Sequence, residues 1–191
     1  LKQWVVWRYE DRQARKPLKM PYDLRTGKPA RVNELADCID YETAVAGYRA
    51  MPTVYDGIGF VFSAGDPYAF IDLDDPESNE DIKQKQIAIY EQFVSYAEVS
   101  VNGGLHIIVR GSVPCGRKRT AIEVYSDRRF AVMTGNVYRQ SPIVDYQDKL
   151  SDLFSRMGAV TPPTSFRGLD HEKDTDENIY KIAYNATNGS K

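Results

Sequence analysis

Six stretches of the chain carry the runs or alternations of β-branched and aromatic side chains that predict strands. They are WVVWRY (4–9), DGIGFVFS (56–63), YAFIDLD (68–74), LHIIVR (105–110), AIEVY (121–125) and RFAVMTG (129–135). Three stretches follow the helical period instead. DYETAVAGYRAM (40–51) has Asp40 as its N-cap and Pro52 just past its end. From Asn79 to about Ala97, the residues Ile82, Gln86, Ile89, Tyr90, Phe93, Val94 and Ala97 fall near one face. DYQDKLSDLFSRM (145–157) is the third. Between the first strand and the first helix, residues 10–30 hold three prolines and a glycine, which predicts loops with room for a hairpin. The sequence AGDP (64–67) is a turn signal between two strands.

Strands outnumber helices, and the helices sit between strand groups. That order predicts an α+β domain with a mostly antiparallel sheet and helices packed against it. The pattern divides the chain into a domain over 1–157, a linker over 158–175 rich in proline, glycine and acids, and the start of a helical domain over 176–191 with apolar Ile179, Ile182 and Ala183.

Composition narrows the picture only slightly. The 191 residues suit one sizeable domain, or one domain and the start of another. No apolar run is long enough to span a bilayer, no signal peptide is visible, and the chain begins at Leu1, which reads as part of a longer protein. Cys38 and Cys115 lie far apart without zinc-motif spacing and read as reduced thiols of a cytosolic protein. The net charge of −2 argues weakly against nucleic acid, but its distribution is uneven. Arg8, Arg12, Arg15, Lys16, Lys19, Arg25, Lys28 and Arg31 crowd the first part of the chain; Arg110, Arg117, Lys118, Arg119, Arg128 and Arg129 form a second basic group. Residues 66–81 and 170–177 are acidic. Such runs are either solvated surface or a phosphate-binding cleft around a carboxylate metal site.

The acids decide which reading is pursued. Asp72 and Asp74, two apart on an extended chain, point to the same side at the end of a strand that begins AFI. That arrangement is costly at neutral pH unless a cation sits between them. Glu123 is a third carboxylate, alone between Ile122 and Val124. His106 stands two residues past the Gly103–Gly104 turn, at the start of an apolar strand. Three acids and a histidine suit metal-assisted phosphoryl chemistry, because hard divalent ions take oxygen ligands and leave room for phosphate and water. Histidine beside glycine N–H groups suits a phosphate better than such a metal.

Taken in order, the segments GIGFVFS, DPYAFIDLDD, EVSVNGGLHIIVRG and AIEVYSDRRFAVMTG closely resemble the archaeo-eukaryotic primase superfamily, above all the primase-polymerase domains of phages and plasmids. The resemblance covers roughly residues 3–145 and rests on three motifs at similar spacings. It implies that Asp72 and Asp74 are the metal-binding acid-x-acid pair, that Gly104, Leu105 and His106 are the small-x-His motif whose histidine contacts nucleotide phosphates, and that Glu123 completes the metal site. It further implies Ser100, Gly103, Gly104, Arg129 and Lys19 as nucleotide contacts, and Tyr125, Phe130, Thr134 and Gly135 match the block around the third acid. Arg117, Lys118 and Arg119 are expected on DNA, with Tyr22 available to stack on bases. Arg128 departs from the glycine common in relatives. The implied fold is an RRM-like sheet with flanking helices beside an N-terminal α/β module.

The implied cofactors are two Mg²⁺ or Mn²⁺ ions. The implied partners are a single-stranded DNA template, deoxy- or ribonucleoside triphosphates, and a C-terminal helical segment with a helicase beyond it, in the cytoplasm of a bacterial host and with no membrane. Two rivals use similar residues. A metal-dependent nuclease often places lysine two residues after its third acid, where this chain has Tyr125. A non-catalytic single-strand-binding module has no need of Asp72, Asp74 and Glu123 together.

Overall fold

A computed structural model describes residues 1–74 and 80–158. The expected linker beyond Gly158, the expected helix over 176–191, Asp75 and Asn79 lie outside the described residues. Over the described residues the architecture is α+β, with antiparallel sheets and three α-helices.

One sheet is built on the N-terminal part of the chain. It comprises β1 (Trp4–Glu10), β2 (Leu18–Asp23), β3 (Lys28–Pro29), β4 (Gly57–Phe62) and β10 (Arg129–Met133), in the order β10-β4-β1-β2-β3. The helix α1 (Tyr41–Ala50) begins as the sequence predicts: the Asp40 carboxylate accepts the N–H of Thr43 at 2.9 Å. The second sheet comprises β5 (Tyr68–Leu73), β6 (Ala97–Val99), β7 (Leu105–Arg110), β8 (Arg117–Arg119), β9 (Ile122–Tyr125) and β11 (Val137–Arg139), ordered β11-β6-β7-β5-β9-β8. Its strand pairings are antiparallel.

The second sheet is covered on both faces. Ile71, Leu73, Ile107, Val109 and Val124 pack against Ile89 and Phe93 of α2 (Glu80–Gln92) and against Leu150 and Leu153 of α3 (Gln147–Arg156). The opposite face presents Phe70 and Ile108 to Phe60, Phe62 and Ala131 of the first sheet. This double coverage explains the near-continuous apolar runs of β5 and β7.

Short turns carry the chain from one sheet to the other, and two of them bear on the site. At 63–67, the Asp66 carboxylate accepts the N–H groups of Ser63 and Tyr68, both at 2.8 Å. At 126–128, Arg128 adopts φ 49°, the left-handed region where a side chain is strained and glycine is not. The residue that departs from the expected glycine therefore still takes up a glycine-like backbone. Because β9 and β10 belong to different sheets, this turn folds Arg129 back towards Glu123.

The second predicted helix is shorter than its periodicity suggests. It stops at Gln92, and Ala97 opens β6, paired with Ile107. The cause is Ser95, whose buried hydroxyl donates to the Ile108 carbonyl at 2.6 Å and accepts the Val144 N–H at 3.1 Å, holding the chain extended. The strands β2, β3, β6, β8 and β11 lie outside the six predicted stretches. Those of β2, β3 and β8 are lysine-, arginine- and proline-rich, so backbone pairing rather than side-chain pattern defines them.

Candidate active site

The register of the second sheet aligns five ionisable residues across five strands. Asp72 on β5 lies directly opposite His106 on β7 and Glu123 on β9; His106 in turn faces Glu98 on β6, and Glu123 faces Lys118 on β8. Directly opposed residues share a face. Here it is the face turned towards the first sheet.

Asp72, Asp74 and Glu123 each offer a ligand oxygen, and these atoms lie within 4.8 Å of one another. The residue that follows the strand is fixed through its backbone. Asp74 donates its N–H to the Ala121 carbonyl at 3.0 Å, and Gln86 of α2 donates to the carbonyls of both Asp74 and Ala121. Gln86, expected as part of a helix face, thus ties the acidic strand end to the turn before Glu123.

Burial, with like charges nearby, leaves a signature on Asp72. Its carboxyl is pushed up to about 6, chiefly by burial; Asp74 and Glu123 add to the rise, while His106 and Arg129 oppose it. Its Oδ1 is buried without a hydrogen-bond partner, 3.7 Å from His106 Nε2. Buried carboxylate oxygens are normally satisfied. An orphaned oxygen beside two further carboxylates fits a divalent cation of the oxygen-preferring class.

Glu123 is better compensated. Lys118 Nζ contacts Oε1; Arg129 Nη2 and the Tyr125 hydroxyl reach Oε2 at 2.9 and 2.8 Å. Burial raises its proton affinity, but these partners outweigh burial and hold the carboxyl below its usual range. Arg129 is further fixed over the Tyr125 ring at 4.3 Å. That ring lies so close to Gly116 that a β-carbon there would fall 2.4 Å from it. The glycine before β8 therefore makes space for the tyrosine that braces Glu123.

His106 is buried and sits edge-on to Phe70, ring centres 4.9 Å apart. Lys19, on β2 of the other sheet, senses both Asp72 and Asp74; burial lowers its proton affinity, and those acids partly restore it. The structure thus brings Lys19 and Arg129 from the first sheet to carboxylates on the second.

Other expected contacts are placed differently. The Ser100 hydroxyl accepts the Gly104 N–H at 3.0 Å, and the Gly103 N–H, at φ 89°, is donated to the Ser100 carbonyl at 3.1 Å. These groups close a tight turn, in which the Gly103 and Gly104 N–H groups bond within the protein. Tyr22 is also not a stacking platform, because it is buried and bonded to Arg8 and Glu10. Arg117 stacks over Phe154 at 3.5 Å and donates to its carbonyl, and Arg119 donates to the Met157 carbonyl at 2.7 Å. Both anchor β8 to the end of α3, while Lys118 between them turns to Glu123.

The sequence pattern missed Glu98. It occupies the same setting as Glu123, a lone acid between apolar neighbours in YAEVSV, but the overextended helix concealed the strand that carries it. Tyr125 was matched only as part of a motif, without its hydroxyl's role at Glu123.

No protein-family model matches the chain. The chain is similar to a DNA primase-polymerase of Nitratiruptor phage NrS-1, with 33% identity over 146 residues, or 71% of this chain. The matched stretch is 19% of the phage protein's length. The likeness supports a phage-type primase-polymerase domain over that stretch.

Proposed function

We propose that this chain is the catalytic domain of a template-directed nucleotidyltransferase of the archaeo-eukaryotic primase superfamily, a DNA primase, DNA polymerase or both, acting in phage or plasmid replication. The six-stranded sheet, with helices on one face and the acids on the other, supports its reading as the family's RRM-like core. One observation carries the chemistry: three carboxylates from two strands meet within 4.8 Å, one with a buried unpartnered oxygen, beside a histidine.

Asp72, Asp74 and Glu123 would hold two Mg²⁺ or Mn²⁺ ions. Bound there, such ions supply a more acidic attacking hydroxyl and charge neutralisation on the triphosphate and leaving pyrophosphate. The chain's own groups do the positioning. His106 turns Nε2 towards Asp72, beside which it would meet triphosphate oxygens. Arg129, locked by Tyr125 and Glu123, presents fixed positive charge at the same end. Lys19 adds a cation from the opposing sheet, in surroundings where burial strengthens its attraction to phosphate. Single-stranded DNA is the template, nucleoside triphosphates are the substrates, and a helical segment and helicase follow in the longer protein, within the host cytoplasm. Among the described residues, no helix is long and apolar enough to cross a membrane.

Incubation with single-stranded template, nucleotides and Mg²⁺ or Mn²⁺, with and without primer, tests this reading. The expected result is template-directed product, abolished in Asp72→Ala and Asp74→Ala while template binding persists. Normal synthesis by either variant, or strand cleavage by metal and DNA alone, would overturn it.

A further inference from the structure

Glu98 is fully buried, where a carboxylate is tolerated only if its oxygens are partnered. It has four partners. Oε1 accepts the Thr134 N–H at 2.7 Å and lies 3.4 Å from His106 Nδ1; Oε2 accepts the Gly135 N–H at 3.0 Å and the Tyr96 hydroxyl at 3.1 Å. Burial pushes its carboxyl up, but these bonds outweigh burial and hold it below the usual range, so it is ionised.

Three of those partners belong to the protein's frame. Thr134 and Gly135 form the corner between β10 and β11, and Thr134 is held again by its hydroxyl's bond to the Val99 carbonyl at 2.7 Å. The fourth partner is the histidine directly opposite in register. Its ring is wedged between two carboxylates, Nδ1 towards Glu98 and Nε2 towards Asp72, with Phe70 fixing its plane. A ring flip would set carbon atoms against both acids.

We infer that Glu98 is a positioning residue for His106: anchored by the Thr134–Gly135 corner, it accepts the Nδ1–H and so sets the ring orientation in which an Nε2–H faces the triphosphate. An anchored acceptor that fixes a histidine's orientation is a general device for such side chains. The inference rests on the proposed role of His106 in nucleotide binding. The rival account is that Glu98 merely satisfies the corner N–H groups. That role would affect stability but would not act through the histidine.

The test has two arms. Nitrogen-15 NMR of His106 in the unsubstituted protein should show Nδ1 protonated; a ring carrying its sole proton on Nε2 would overturn the inference, whatever the catalytic result. In the second arm, Glu98→Gln is measured with and without His106→Ala. Alone, it should raise nucleotide KM by about tenfold, the scale of a charge-assisted hydrogen bond, with kcat within about twofold. Mn²⁺ affinity without nucleotide should be unchanged. In the His106→Ala background, Glu98→Gln should add no further rise. An equal rise in both backgrounds, or none in either, would overturn the inference. An unchanged KM in His106→Ala alone would overturn the proposed role of the histidine, leaving the nitrogen spectrum to decide the Glu98 contact.

Discussion

The acids and the bases of this chain behave in opposite ways on folding. Asp72, Asp74 and Glu123 are separated in sequence and converge in space. The basic residues crowd one segment of sequence and disperse in space: Arg8 pairs with Glu10, Arg12 with Asp56, Arg25 with Asp23, and Arg31 with Asp37 and Glu34. Antiparallel register accounts for the convergence, because it sets residues from distant segments side by side on one face. Local turns account for the dispersal, since most of those arginines have an acid within reach along the chain. Charge density along a sequence is therefore a poor guide to the field of the folded molecule. Among the described residues, unbalanced charge remains at Asp72, where strands meet.

The largest expected effect comes from removing that imbalance. The folded Asp72 carboxyl titrates at about 6, above its ordinary value. A raised value favours the folded state while the group is protonated; the advantage is lost as pH rises from about 4 through about 6, leaving a cost on the order of 3 kcal/mol at higher pH. Asp72→Asn should accordingly raise the unfolding free energy by up to about that amount near pH 8 in chelator, with the difference vanishing near pH 4. The same variant should lose template-directed synthesis by about a thousandfold or more. It should also lose most of the thermal stabilisation that Mn²⁺ gives the unsubstituted protein. Melting curves across pH, with and without metal, check all three. An Asp72→Asn protein less stable than its parent in chelator would show that the buried charge of Asp72 carries no such cost.

The same comparison separates what could be read in the sequence from what could not. The pair Asp72–Asp74 was legible because alternation along one strand is local. Glu123 was legible as an oddity, an acid among apolar residues. The line from Glu98 to Lys118 was not, because cross-strand register depends on pairings that no local pattern encodes. The six main strands and three helices could be read because their apolar side chains follow the strand or helix period. The strand β8, with its Arg-Lys-Arg sequence, could not: its arginines cover the end of α3, and its lysine covers an acid. A basic triplet that reads as a nucleic-acid contact is divided among three partners by strand alternation and a helix terminus.

Lys118 offers a way to sharpen the contrast. It is the movable cation at Glu123, with a side chain 58% exposed, whereas Arg129 is only 26% exposed and stacked on Tyr125. Without a metal ion, Lys118 compensates the carboxylate that an ion would share. Lys118→Met should therefore tighten Mn²⁺ binding by roughly fivefold, about the strength of one partly exposed ion pair. Calorimetric titration of the nucleotide-free protein measures it directly. Unchanged affinity would mean that Lys118 and the ion do not compete for Glu123.

The smallest effect is expected where the basic residues are already paired, and its smallness is informative. Arg12 donates from one nitrogen to both oxygens of Asp56, at 2.8 and 2.9 Å, while its side chain remains 58% exposed. Exposure lets solvent screen the pair, so Arg12→Gln should cost no more than about 0.5–1 kcal/mol of stability. Its effect on template binding separates two pictures of the N-terminal segment. If the arginines track a phosphate backbone, losing one should reduce the logarithmic salt slope of single-strand affinity by about 0.7 and weaken binding at low salt. If folding has already assigned Arg12 to Asp56, the slope should stay unchanged and the affinity should move by less than about twofold. Fluorescence titrations of a labelled single strand at several salt concentrations distinguish the two. A reduced slope would mean that Arg12 leaves Asp56 to meet the template, and that the dispersal of basic charge in the free protein is reversed on binding DNA.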